Sequence, residues 1–304
     1  MKSCISTYSF ERLYQDGEFT RFNAIDKTKE YGCQGVELVL NDETPDSSTP
    51  MEYAKALCAH AKEQGLEVPI YTTGANFFVK EPEKELERLC RHIDIAAECK
   101  IPLLRHDVAW GYYEGYTGIK SYKKVIEAVA PFVRQAAEYA RERGVKTCSE
   151  NHGYLLQDSA RMLELFAAVD HPNYGFLCDM GNFTVVDEDC ATAVSALSDH
   201  IVHVHAKDML VRSGMNFDPG RGYNLSRGGN YWRGTIFGHG NVPTFQILSA
   251  IRKSGYDGYV SLEFEGMEPV LEGVEIGTQN LQHMIEVVAV SYTHLRAHET
   301  KANL

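Results

Sequence analysis

The chain alternates two hydrophobic rhythms. Short, nearly continuous apolar runs recur between longer stretches whose apolar residues fall three and four apart. The runs are Ser3–Tyr8, Gly35–Leu40, Glu67–Thr72, Ile101–His106, Val145–Glu150, Tyr174–Asp179, Ile201–His205 and Gly258–Phe264. Such runs, too short for helices and lacking strict alternation, predict parallel strands buried on both faces. The intervening stretches predict helices over Thr20–Tyr31, Met51–Gln64, Glu83–Cys99, Ser121–Arg143, Asp158–Ala168, Asp189–Ser198, Pro243–Lys253 and Val270–Val288. In Ser121–Arg143 the period is explicit: Val125, Val129, Phe132, Val133, Ala136 and Ala140 share one face.

Eight strand–helix alternations without a break in composition predict one α/β domain, a single (β/α)8 TIM barrel spanning residues 1–290. A doubly wound sheet would stop at fewer strands and would carry a glycine-rich phosphate loop after one of them. The glycine-rich stretch Gly220–Gly234 does not follow a strand directly, so it is not that fingerprint. It belongs to residues 209–242, a connection between the seventh strand and helix too long for an ordinary barrel loop, which predicts a lid or binding loop. Tyr231 and Trp232 beside Arg227 and Arg233 favour an ordered loop over a disordered one. After Val288 the apolar period lapses. Residues 291–304 read like sequence from outside the natural gene end, so His294 and His298 are set aside as ligands.

The 304 residues carry a net charge of −12. With no basic stripe to offset that charge, nucleic acid and anionic membrane surfaces are not expected partners. No apolar run is long enough for a signal peptide or a membrane span. The eight cysteines include no C-x-x-C pair, which points to a reducing, cytoplasmic setting.

Barrel chemistry gathers at the C-terminal ends of the strands. There the sequence puts Arg105-His106-Asp107, Glu150-Asn151-His152, Asp179-Met180-Gly181-Asn182, His203-Val204-His205-Ala206-Lys207-Asp208 and Glu263-Phe264-Glu265. Carboxylates crowded together repel one another, and a divalent cation relieves that repulsion. Oxygen donors with one imidazole suit Mn²⁺ above all, or Mg²⁺ or Co²⁺, with Zn²⁺ also possible. The alternative is a set of unrelated polar strand ends. Among other candidates, His106, His152 and Lys207 could reach substrate, or could serve as a loop histidine, a loop histidine and an ion-pair partner of Asp208. Trp110 and Phe77 could face a substrate or lie in the core, and His239 could reach the site if the long loop folds over it.

The segments Ser149–Gly153, Cys178–Asn182, His203–Asp208 and Gly258–Glu263 resemble the xylose-isomerase-like TIM barrel superfamily, in its sugar phosphate isomerase/epimerase branch. The resemblance covers residues 3–288. It implies metal ligands at Glu150, Asp179, His205 and Glu263, with Glu150 and Glu263 also serving as the acid/base pair. It further implies a sugar or polyol substrate contacted from Arg105, His106, His152, Asn182, Lys207, Trp232 and Arg233, and a homo-oligomer. The branch's ketose epimerases carry a histidine where this chain has Asn182. Asn182 still hydrogen-bonds a hydroxyl but cannot hold a positive charge. The expected activity is isomerisation or epimerisation of a neutral ketose or keto-polyol by proton abstraction next to a metal-polarised carbonyl. A lyase acting on a keto-sugar, keto-inositol or oxidised glycoside is the alternative, and a non-catalytic sugar-binding barrel is the third reading.

Overall fold

The computed structural model describes the backbone of residues 1–15 and 17–302, with side chains through residue 291. The parallel strands are β1 (Lys2–Ser6), β2 (Gly35–Val39), β3 (Tyr71–Thr73), β4 (Leu103–His106), β5 (Lys146–Glu150), β6 (Tyr174–Asp179), β7 (Ile201–Ala206) and, later in the chain, β11 (Tyr259–Leu262). They close into a barrel in the order β1-β2-β3-β4-β5-β6-β7-β11, with β1 paired to both β2 and β11. Around them lie α1 (Arg21–Glu30), α2 (Pro50–Glu63), α3 (Pro82–Glu98), α4 (Tyr122–Arg141), α5 (Ser159–Val169), α6 (Cys190–Leu197), α7 (Thr244–Lys253) and α8 (Val270–Ala302). This is the TIM barrel that the hydrophobic rhythm predicts.

Local chemistry explains most boundaries. Thr49 and Glu52 form a reciprocal capping box at the start of α2, and Thr20 and Asn23 do the same for α1. Strand β3 is shorter than its apolar run because Pro69 has no N–H to give the ladder. The chain continues past Ser291 as backbone helix to Ala302, where loss of periodicity predicted an end. Ala, Leu, Arg, Glu and Lys are good helix formers, and a helix needs no apolar stripe to continue. The side chains of His294 and His298 lie outside the described residues.

Residues 209–242 are also more regular than a lid. They complete β8 (Asp208–Arg212) and hold β9 (Asn224–Leu225) and β10 (Tyr231–Thr235), a three-stranded antiparallel sheet in the order β8-β10-β9.

Side chains alternate along a strand, so residues two apart share a face. Ile70, Leu103, Cys148 and Leu177 form a buried apolar layer inside the barrel. Two residues further along each strand come Thr72, Arg105, Glu150 and Asp179. The polar site therefore sits one layer above an apolar plug, at the C-terminal mouth. All eight cysteines are free thiols. Among the described residues no helix is long and apolar enough to cross a membrane.

Candidate metal centre

Glu150 ends β5, Asp179 ends β6, His205 lies on β7 and Glu263 directly follows β11. All four are buried, and one donor atom from each lies within 4.8 Å of the others. From His205 Nδ1 it is 3.6 Å to Glu150 Oε1, 3.9 Å to Asp179 Oδ2 and 3.6 Å to Glu263 Oε2. That nitrogen is buried and has no hydrogen-bond partner. A bare imidazole nitrogen facing three carboxylates fits a divalent cation, which can take one donor atom from each.

The strand ends are locked from outside the cluster. The Asn151 side chain donates to the Asp179 carbonyl at 2.9 Å and accepts from the Asp179 N–H at 3.0 Å. Asp179 Oδ1 accepts from the N–H groups of Gly181 and Asn182, both at 2.8 Å. A Cβ on Gly181 would lie 2.8 Å from the Lys207 carbonyl oxygen, so glycine lets the β6 turn approach β7. Asn182 donates to Glu150 Oε1 at 2.9 Å, and Arg105 pairs with Glu150 Oε2 at 2.6 Å. Arg105 also forks onto Asp107, which His152 meets at 3.0 Å.

Lys207 does not pair with Asp208. Its ammonium lies 2.5 Å from Glu263, 3.2 Å from Asp179 and 3.3 Å from Glu265. Alternation explains this: Lys207 follows His205 by two and points inward with it. Asp208 instead accepts from the backbone N–H groups of Met209, Gly238, Gly240 and Val242, bracing the start of β8.

The electrostatics are divided. Burial pushes Asp179 up to about 7, with Lys207 opposing and Glu150 and Glu263 reinforcing. Burial acts on Glu263 in the same direction, but Lys207 and His205 outweigh it and hold that carboxyl down at about 2. Glu150 stays well below the usual carboxylate range because Arg105 and His205 overcome its burial. His205 is raised well above an ordinary histidine: burial opposes this, and Glu37, Glu263 and Glu150 prevail.

A cavity of about 240 Å³ opens over the cluster, lined by Arg105, Glu150, His152, Lys207, Glu263 and Glu265 among others. That is slightly below the usual ligand-pocket range of roughly 300–1,000 Å³ and suits one small ring. Asn182 sits in the wall beneath, between Glu150 and Lys207. Trp232 and Arg233 line an adjoining cavity rather than this one. His106 reaches neither. It lies one residue from inward-facing Arg105, so it points out of the barrel, against Phe77 and Tyr174. Its Nδ1 meets the Asp107 carbonyl at 2.8 Å, and burial holds it down at about 4. Phe77 is core, stacked on Phe132. Trp110 and His239 are exposed and line neither cavity.

Sequence reasoning missed Glu37 and Tyr8, and placed Glu265 at its strand end without giving it a role. Glu37 is fully buried on β2 and contacts His205 and Thr72. A glutamate inside the apolar run Gly35–Leu40 was the available signal, since a buried carboxylate needs a partner. Tyr8 lies beside Glu265 at the cavity rim, and that carboxylate raises its phenol.

Residues 25–287 match the family described as xylose isomerase-like TIM barrel. The chain is 29% identical over 142 residues to an inosose dehydratase of Lacticaseibacillus casei, a stretch covering 46% of this chain and 47% of that protein. The chain thus spans about half the length of that curated relative. It is 25% identical over 189 residues to a probable ketose 3-epimerase of Synechocystis sp., covering 59% of this chain and 63% of that protein. A solved L-ribulose 3-epimerase shares the fold, with a TM-score of 0.72 at 13% identity over 97% of each chain.

Proposed function

The chain belongs to the xylose isomerase-like TIM barrel family, and on that premise we propose that it is a divalent-metal-dependent isomerase or epimerase of a ketose or keto-polyol. One observation carries this reading. Four buried donors from four neighbouring strands converge within 4.8 Å, and two of them are glutamates on different strands. A cation held by Glu150, Asp179, His205 and Glu263 would supply Lewis-acid polarisation of a carbonyl and its neighbouring hydroxyl.

The chain's own residues handle the proton. One of Glu150 and Glu263, ionised, accepts it from the carbon next to the carbonyl, and the other, entering the turnover as the neutral acid, returns one, so the pair trades a single proton. Return to the opposite face is epimerisation, and return to the neighbouring carbon is isomerisation. Arg105 and Asn182 hold Glu150 in a single orientation. The Lys207 ammonium keeps Glu263 ionised and ready to accept. The cavity's cations are already engaged, Arg105 by Asp107 and Glu150, Lys207 by three carboxylates, and Arg21 by the Val39 carbonyl at 3.0 Å with Glu11 4.0 Å away. That supports a neutral sugar over a phosphate ester.

A second reading is elimination of a hydroxyl from a keto-sugar or keto-inositol. Lys207 favours it, because its ammonium beside Glu263 is a hydrogen-bond donor that can hold the oxygen of a departing hydroxyl. The inosose dehydratase relative points the same way.

The test uses protein loaded separately with Mn²⁺, Mg²⁺ and Co²⁺, in D₂O, with a panel of free ketoses and inososes followed by NMR. Deuterium appearing in a rearranged sugar supports the isomerase or epimerase. Loss of water supports the dehydratase. Absence of exchange or elimination with any keto-sugar, with metal bound, supports a binding protein and overturns both enzyme readings.

A further inference from the structure

A cavity of about 650 Å³ opens at the opposite, N-terminal end of the barrel, lined by Lys100, Lys146, Val202, His203, Tyr256 and Tyr259 among others. The apolar layer of Ile70, Leu103, Cys148 and Leu177 stands between it and the acidic mouth. Its volume lies within the roughly 300–1,000 Å³ of ligand pockets. Glu150, Asp179, His205 and Glu263 do not line it, so it lies apart from the metal centre.

Strand alternation builds the cavity. Lys146, Cys148 and Glu150 share the inward face of β5, so Lys146 points into the base of the barrel, where it is half-buried. On β11, Tyr259 points inward with Ser261 for the same reason. A Cβ on Gly35 would lie 2.7 Å from the Tyr259 ring, so glycine on β2 makes room for that ring.

Three features of the lining select a ligand. The first is charge. Lys100 and Lys146 face Glu67, the one carboxylate of the lining, and among the described residues neither ammonium pairs with a carboxylate. At the mouth, by contrast, Arg105 and Lys207 are engaged by carboxylates. Two ammonium groups without counter-charges favour an anion. The second feature is His203, which is only 2% exposed and whose ring lines the cavity. Its Nε2 meets the Ser261 hydroxyl at 2.7 Å, and among the described residues its Nδ1 makes no hydrogen bond. An imidazole nitrogen donates or accepts according to its tautomer, and a hydroxyl can answer either. The third is the apolar wall of Pro69, Pro102 and Val202, which suits a short carbon skeleton.

We propose that the base of the barrel is a second ligand site, for a small hydroxylated anion whose charged group meets Lys146 and Lys100 and whose hydroxyl meets His203. A carboxylate and a phosphate ester present the same chemistry to the two lysines, a negative charge on acceptor oxygens. The site goes beyond the keto-sugar reading and does not depend on it, because the two ligands enter from opposite ends of the barrel.

Ligand-observed NMR and calorimetry on the full chain test this, once with Mg²⁺ present and once with metal removed. The probes form matched sets. D-Gluconate and D-glucitol differ by the carboxylate, D-gluconate and hexanoate by the hydroxyls, and glycerol 3-phosphate and glycerol by the phosphate. At least one hydroxylated anion binds more tightly than its neutral partner, by about tenfold or more. The tighter of D-gluconate and glycerol 3-phosphate identifies the charged group as carboxylate or phosphate. Hexanoate binds more weakly than D-gluconate. Lys146→Met removes the preference for the anion and Lys146→Arg retains most of it, while Lys207→Met, at the other end of the barrel, leaves it in place. The preference is the same with and without Mg²⁺. Equal binding of anions and neutral partners, no binding of any probe, or a preference that survives Lys146→Met overturns the site. Hexanoate binding as tightly as D-gluconate overturns the contact with His203. A preference that needs Mg²⁺ or is lost in Lys207→Met places the anion at the acidic mouth and overturns the proposal. None of these outcomes bears on keto-sugar exchange, which the D₂O experiment decides separately.

Discussion

Both carboxylate oxygens of Glu37 lie on Nε2 of His205, at 2.9 and 3.1 Å. Facing only carboxylate oxygens, Nε2 carries the proton. Nδ1 is then the nitrogen free to bind a cation. Thr72 donates to Glu37 at 2.7 Å, and His203 stands 3.6 Å away, so the glutamate is itself held in place. A carboxylate behind a ligating histidine fixes its tautomer and raises its basicity. Glu37→Gln is therefore expected to weaken metal binding by roughly 10- to 100-fold. Titration calorimetry of the metal-free protein with Mn²⁺ measures this directly, and unchanged affinity would remove Glu37 from the metal centre.

The two glutamates and the other two donors should fail differently. Glu150→Gln and Glu263→Gln keep side-chain size and one oxygen donor but lose the base. They are expected to hold metal and lose turnover by roughly 10²-fold or more. Asp179→Asn and His205→Asn should lose metal first, with turnover partly recovered in excess metal. Metal content and rate, measured on the same samples, separate the two classes.

Metal affinity should rise with pH. Asp179 sits at about 7 and His205 is raised, so at lower pH both hold protons that a cation must displace. Affinity is expected to fall steeply as pH drops from 8 to 6. Calorimetry in buffers of different ionisation enthalpy counts the protons released, and zero release at pH 6 would contradict the prediction.

His106 should cost stability in acid. Burial holds it down at about 4, against roughly 6.5 for an unfolded histidine. Between those values the unfolded chain binds a proton that the native chain refuses. The stability present above the unfolded value is therefore lost as pH falls toward 4, by about 3 kcal/mol in all. Urea unfolding from pH 7 to 4 should show a shallower decline in His106→Gln than in the parent chain.

Removing residues 291–304 should leave the fold intact. The buried stripe of α8 runs through Val274, Leu281 and Val288, and Val290 is already 60% exposed. A melting temperature within about 2 °C of the full chain is the expected result. A shift of several degrees, about 1 kcal/mol or more at this size, would mean the tail packs on the barrel.

The barrel and its four donors were legible because their signals are local. The strand ends could be read off the sequence, which placed Glu150, Asp179, His205 and Glu263 at one height on four successive strands. His106 was misassigned for want of strand alternation, since a neighbour of inward-facing Arg105 must point out. Tertiary structure alone decided the partners. Glu37 and His205 are 168 residues apart and meet because the barrel closes. Lys207 joins Asp179, Glu263 and Glu265 rather than adjacent Asp208, because Asp208 is drawn away by four backbone N–H groups. The cavity beside the acidic one depends on β10 docking beside the end of β11, where Gly234 permits close approach. Periodicity along one segment specifies which way a side chain points. What it meets there depends on segments far away in the chain, and closing the barrel is what brings them together.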